Sequence, residues 1–247
     1  MGASTSFDAA PSVVPFVEPH EAAAALWLKL HEERKRRLVE KPCAVVLLGD
    51  SRTEGWGRQG KEAFASILSG SDVAHAGSGG DRAQHILWRV QQGELDGSAS
   101  SLKAVYLLAG INNLQNSDPP ETSARVVLEV ADALRERYRV HVGIQLEWPS
   151  HPSAAVRQAT LAFNHALHAL TSDQKQYAGW CSLVELEPFG GAGFWHAPPE
   201  GDAADTPDPA GPLPDGVHPS EAGYEAWAQT LVPLLAQLVA QRQAEGA

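Results

Sequence analysis

Four short blocks of this chain carry the residue types that acyl transfer needs. They are Gly49-Asp50-Ser51, Gly77-Ser78-Gly79-Gly80-Asp81, Gly110-Ile111-Asn112-Asn113 and Asp215-Gly216-Val217-His218. A serine hydroxyl attacks an ester carbonyl only when a base removes its proton, and His218 is the candidate base for Ser51. Asp215, three residues earlier, can accept from Nδ1 of that imidazole and leave Nε2 for the serine proton. The tetrahedral intermediate needs donors aimed at its oxyanion, and the backbone N–H groups of Ser51 and Gly80 with the Asn112 side-chain amide suit that task. Asn113 is expected to hold loop geometry. Gly-Asp-Ser alone is an ordinary turn, so the partner blocks carry the inference.

Other chemistries fit less well. The glycines at 77–80 could cradle a phosphate ahead of a helix, but no P-loop lysine follows and Arg82 breaks the dinucleotide glycine pattern. Thr53 stands where the G-x-S-x-G elbow would have its second glycine. His165 and His168 share a helix face without a third ligand, so neither a metal nor a cofactor is expected. Arg52 and Arg82 flank the nucleophile and the oxyanion glycine. With both guanidinium groups at the cleft mouth, they would recognise a carboxylate or phosphate on the substrate. The alternative is structural: Arg52 pairs with Glu54 or Asp81, and Arg82 opens a helix capped by Asp81.

These residues must be brought together by the elements around them. Five nearly continuous apolar runs, at 43–48, 73–76, 104–109, 140–146 and 182–186, predict buried parallel strands. Amphipathic stretches alternate with them. Residues 121–137 put Ala124, Val127, Leu128, Ala131 and Leu134 on one face, with Asp118 as the expected N-cap. The C-terminal segment does the same with Trp227, Leu231, Leu234, Leu235 and Leu238. Residues 20–39 predict an N-terminal helix whose mixed charges form a solvated face. Strict alternation implies a three-layer α/β/α fold with a five-stranded parallel sheet, and the first three blocks each follow a strand at its carboxyl end.

The organisation is one catalytic domain at 40–242, preceded by a poorly ordered lead-in at 1–19 and interrupted by a Pro/Gly/Asp-rich loop at 190–214. A net charge of -11 has the wrong sign for nucleic acid or an anionic membrane surface. Two cysteines make no disulfide framework, and no apolar run is long enough for a bilayer. No secretory signal is evident, so a soluble cytoplasmic protein is expected; Gly2 with Ser6 fits only the loose myristoylation pattern.

The four blocks together resemble the SGNH (GDSL-like) esterase and lipase superfamily. Residues 79–95, from Gly79-Gly80-Asp81-Arg82 to Gly93-Glu94-Leu95, are similar to the matching stretch of the type I platelet-activating-factor acetylhydrolase catalytic subunits and their relatives. The resemblance spans about residues 43–235. It implies a flavodoxin-like sheet, no metal, Ser51 as nucleophile, Gly80 and Asn112 in the oxyanion hole, and Asp215 with His218 completing a triad. The chain departs from it at Arg52, usually aliphatic, at Arg82, commonly Thr, and in the 190–214 loop. The expected activity is metal-independent hydrolysis of short-chain esters, acetyl among them, on a small-molecule, lipid or sugar alcohol. A catalytically silent binding or scaffolding protein is the alternative, and a homodimer is a further expectation.

Overall fold

Strands β1 (Val45–Gly49), β2 (Val73–Gly77), β3 (Ala104–Leu108), β4 (His141–Gln145) and β5 (Cys181–Val184) form one sheet in the order β2-β1-β3-β4-β5, every pairing parallel. The computed structural model describes residues 21–172, 175–186 and 210–245. Each strand lies within two residues of its expected ends. The central strands β1, β3 and β4 are buried along their whole length, which is why their sequences lack polar alternation. The lead-in at 1–19 and the part of the long loop at 190–209 lie outside the described residues.

The helices are α1 (Glu21–Glu40), the single turn α2 (Ser51–Glu54), α3 (Lys61–Ala63), α4 (Ala83–Gln91), α5 (Ile111–Gln115), α6 (Pro120–Tyr138), α7 (Ala154–Ser172) and α8 (Glu221–Glu245). Side chains alternate across the sheet and give two apolar layers. On one face Val46, Leu48, Val105, Leu107, Val142 and Ile144 pack with residues of α4, α6 and α7. On the other, Val45, Leu47, Tyr106 and Leu108 pack with Trp227, Leu231 and Leu235 of α8 and with Trp56. A three-layer α/β/α fold results.

Two local expectations are corrected. Helix α6 begins at Pro120 with Pro119 as N-cap, not Asp118. A residue that precedes proline is held extended, and Pro119 has ψ 134°, so the helix cannot start earlier. The charged run of α1 is also not wholly solvated: Arg36 and Arg37 are exposed, but His31 and Arg34 are 2% and 4% exposed.

From β1 the chain moves outward to β2 and then returns across β1 to β3, so the sheet reverses direction between β1 and β3. Crevices at such a reversal are where α/β sheets take ligands. Ser51 follows β1 and Asn112 follows β3, so the two sides of that crevice carry the first and third blocks.

Candidate functional site

Ser51 is the first residue of α2, half-buried, on a turn packed tightly against the neighbouring strand end. Asp50 is the N-cap and accepts from the Arg52 N–H at 3.0 Å. A Cβ on Gly77 would stand 1.9 Å from the Glu54 backbone nitrogen, so only glycine lets β2 end this close to the Ser51 turn.

The Ser51 Oγ lies 2.8 Å from His218 Nε2, and His218 Nδ1 lies 2.7 Å from Asp215 Oδ2. A carboxylate only accepts, so the Nδ1 proton points to Asp215 and the Nε2 lone pair to the hydroxyl. The other Asp215 oxygen accepts from the Val217 and His218 N–H groups at 2.8 and 2.7 Å. Partial burial pushes the Asp215 carboxyl up, but these bonds from His218 and Val217 outweigh it and hold the group below the ordinary aspartate range. The turn is pinned by buried Leu213 and by the Ser150 hydroxyl, which donates to the Gly216 carbonyl at 2.6 Å.

The second block runs beside Ser51. A Cβ on Gly79 would stand 4.0 Å from Ser51 Cβ, and Gly80 has φ +76°, a left-handed conformation that favours glycine. The Asn112 Nδ2 donates to the Asp81 carbonyl at 2.9 Å, which ties the third block to the second. Asn113 is 1% exposed; its Oδ1 accepts from the Ala83 N–H at 2.9 Å and its Nδ2 donates to Gln84 and Asp118. It thus caps α4 from outside and holds loop geometry, while Asp118 serves it in place of the expected capping role.

Arg52 does not face the cleft mouth. It is 2% exposed, and its guanidinium is fully engaged by Asp50, at 2.6 and 3.1 Å, and by Glu147, at 2.5 and 2.8 Å. The expected partners Glu54 and Asp81 are also wrong: Glu54 pairs with Arg58, and Asp81 with Arg89. Arg52 therefore ties the Ser51 turn to the start of α5, because Glu147 also accepts from the Ile111 N–H at 3.0 Å, next to Asn112. Arg82 is the N-cap of α4 in place of Asp81, and its guanidinium lies 3.8 Å from Asp118 with 23% of the side chain exposed.

Sequence reasoning missed Glu147. Its signal was a lone acid just past the apolar run that became β4, at the same edge of the sheet as the four blocks. Among the described residues no group of His, Cys, Asp and Glu is arranged to hold a metal ion, and no helix is long and apolar enough to cross a membrane.

Residues 47–226 match the GDSL-like lipase/acylhydrolase family. The platelet-activating factor acetylhydrolase IB subunit alpha1 of Rattus norvegicus is 26% identical over 221 residues, 89% of this chain and 87% of the relative. The human subunit alpha1 is 25% identical over 222 residues, 90% and 87% of the two chains. Among solved structures, a GDSL-like lipase from Bacteroides thetaiotaomicron superposes with TM-score 0.59 at 18% identity, covering 84% of this chain and 98% of the other, a likeness of fold. The chain belongs to the GDSL-like lipase/acylhydrolase family and is a carboxylic ester hydrolase.

Proposed function

We propose that this chain hydrolyses short-chain carboxylic esters, acetyl esters among them, through a covalent acyl-serine on Ser51. His218 Nε2 takes the hydroxyl proton as Oγ bonds to the ester carbonyl carbon, and the resulting oxyanion is held by the Ser51 and Gly80 N–H groups and the Asn112 amide. Collapse breaks the bond to the alkoxy oxygen, which leaves with the proton from His218. Water then repeats the sequence on the acyl-serine: His218 removes its proton, the bond to Ser51 Oγ breaks, and the hydroxyl is restored as the acid departs.

The observation that carries this reading is the unbroken relay from Ser51 through His218 to Asp215, with links of 2.8 and 2.7 Å, at the carboxyl end of the sheet. The resemblance to acetylhydrolase subunits supports a small acyl group. A panel of aryl esters of increasing acyl length tests it. Turnover is expected to be highest for the shortest chains, and Ser51→Ala should reduce it by roughly 10⁶-fold. An organophosphonate adduct mapped to a residue other than Ser51 would overturn the assignment.

A further inference from the structure

We propose that the N-terminal helix α1 belongs to the oxyanion machinery, with Trp27 and Asp81 as positioning residues for the Asn112 amide. The inference rests on the reading of Asn112 as an oxyanion donor. It extends that reading to a helix lying before residue 47, where the family match begins.

An amide NH₂ group is planar, so fixing one N–H fixes the direction of the other. One Asn112 N–H is held by the Asp81 carbonyl at 2.9 Å, which leaves the second with a single orientation. The precision of that donor is therefore set by how firmly Asp81, whose carbonyl opens the peptide to Arg82, is held. Asp81 is 2% exposed and clamped from two sides: Oδ1 accepts from Trp27 Nε1 at 2.7 Å and Oδ2 from Arg89 Nη1 at 2.7 Å. One clamp comes from α1, the other from α4.

The clamp is itself braced. Arg89 is fully buried, and beyond Asp81 it reaches the Gly49 carbonyl at 3.3 Å, two residues before Ser51, and Glu94 at 2.9 Å. Glu94 in turn meets His31 Nδ1 at 2.6 Å and accepts from Arg34 Nε at 3.1 Å. Trp27, His31 and Arg34 recur at i, i+4 and i+7, so a single face of α1 supplies all three. Arg89 thereby links this face to the end of β1, and Arg34 Nη1 donates to the Gly77 carbonyl at 3.5 Å at the end of β2, the strands that precede Ser51 and Gly80.

Packing alone could also explain Trp27, whose ring lies 5.1 Å from that of Trp88 and 6.1 Å from that of His85. Trp27→Phe separates the two roles, because it keeps an aromatic ring and removes the Nε1 donor. The test is a double-mutant cycle on a short aryl ester with Trp27→Phe, Asn112→Ala and the pair. Trp27→Phe is expected to lower kcat about tenfold, with KM changed less than about twofold, and to add nothing further in the Asn112→Ala background. An equal loss in both backgrounds, or no loss in the first, overturns the positioning role while leaving the esterase reading intact. Near wild-type kcat for Asn112→Ala would remove Asn112 from the oxyanion hole and this inference with it, again without touching Ser51. Should Trp27→Phe not fold, Asp81→Asn enters the same cycle with the same expected non-additivity.

Discussion

Around Ser51 the neighbouring charges are buried and paired, with Asp50, Arg52 and Glu147 exposed by 0, 2 and 1%. The Asp215 and His218 side chains, by contrast, keep 56 and 50% of their surface in solvent and are held by bonds within one turn. Ser51 thus sits beside ion pairs that tie its turn to distant parts of the chain, whereas His218, the proposed base, stands on a turn held mainly by its own bonds. A substitution at the first end disturbs folding and turnover together; one at the second can remove turnover and leave the fold untouched.

Asp215→Asn offers the sharpest contrast. It should reduce kcat by roughly 10⁴-fold, through loss of the acceptor that orients His218, while stability moves by no more than about 0.5 kcal/mol. Thermal melts beside steady-state kinetics check this, and a large fall in melting temperature would break the comparison. Arg52→Met reverses the pattern. Removing the cation leaves Asp50 and Glu147 buried together without compensation, so unfolding free energy should drop by about 3–5 kcal/mol, measured by urea titration. A recognition role for Arg52 would instead appear as a raised KM for an anionic ester over a neutral one at unchanged stability.

The smallest effect is a pH dependence on the rigid side. Burial lowers His75 on β2 to about 4, helped by the charges of Arg37 and Arg34. The unfolded chain takes up that proton near 6.5, so between 6.5 and about 4 the unfolded state binds more protons than the native one. The stability His75 contributes is complete above that window and is lost as pH falls through it. His75→Gln should therefore flatten the decline in melting temperature between about pH 7 and about pH 4. An unchanged slope would mean that His75 titrates alike in both states.

Much of the fold was legible because its buried strands write themselves as apolar runs, and the strand-end positions of Ser51, Gly80 and Asn112 followed from them. The meeting of Ser51 with His218 was legible through motif chemistry, although nothing local joins residues so far apart. The structural alternative for Arg52 held in kind, but its partners were misread, because a charge beside Ser51 looks the same in sequence whether it turns to solvent or inward. Its direction depends on Glu147, whose arrival next to Asp50 is a product of strand order. Trp27, His31 and Arg34 were hidden similarly, since Glu94 and Arg89 give no sign in sequence that they will be buried beneath α1.

Arg52 also bears on how the chain folds. Its two contacts with Asp50 are nearly adjacent in sequence, but those with Glu147 span 95 residues, and the hydrogen bond from Ser51 to His218 spans 167. Contacts this distant must overcome the entropy of closing large loops, which slows folding. On a chain emerging from its N-terminus, Arg52 meets Asp50 long before Glu147 exists. The Ser51 turn can settle only once β4 has docked beside β3, and the serine meets His218 later still, when the C-terminal turn arrives. Under the proposed mechanism, reactivity toward esters is in this sense a late event in the life of the polypeptide, and partly folded chains keep Ser51 as an ordinary hydroxyl.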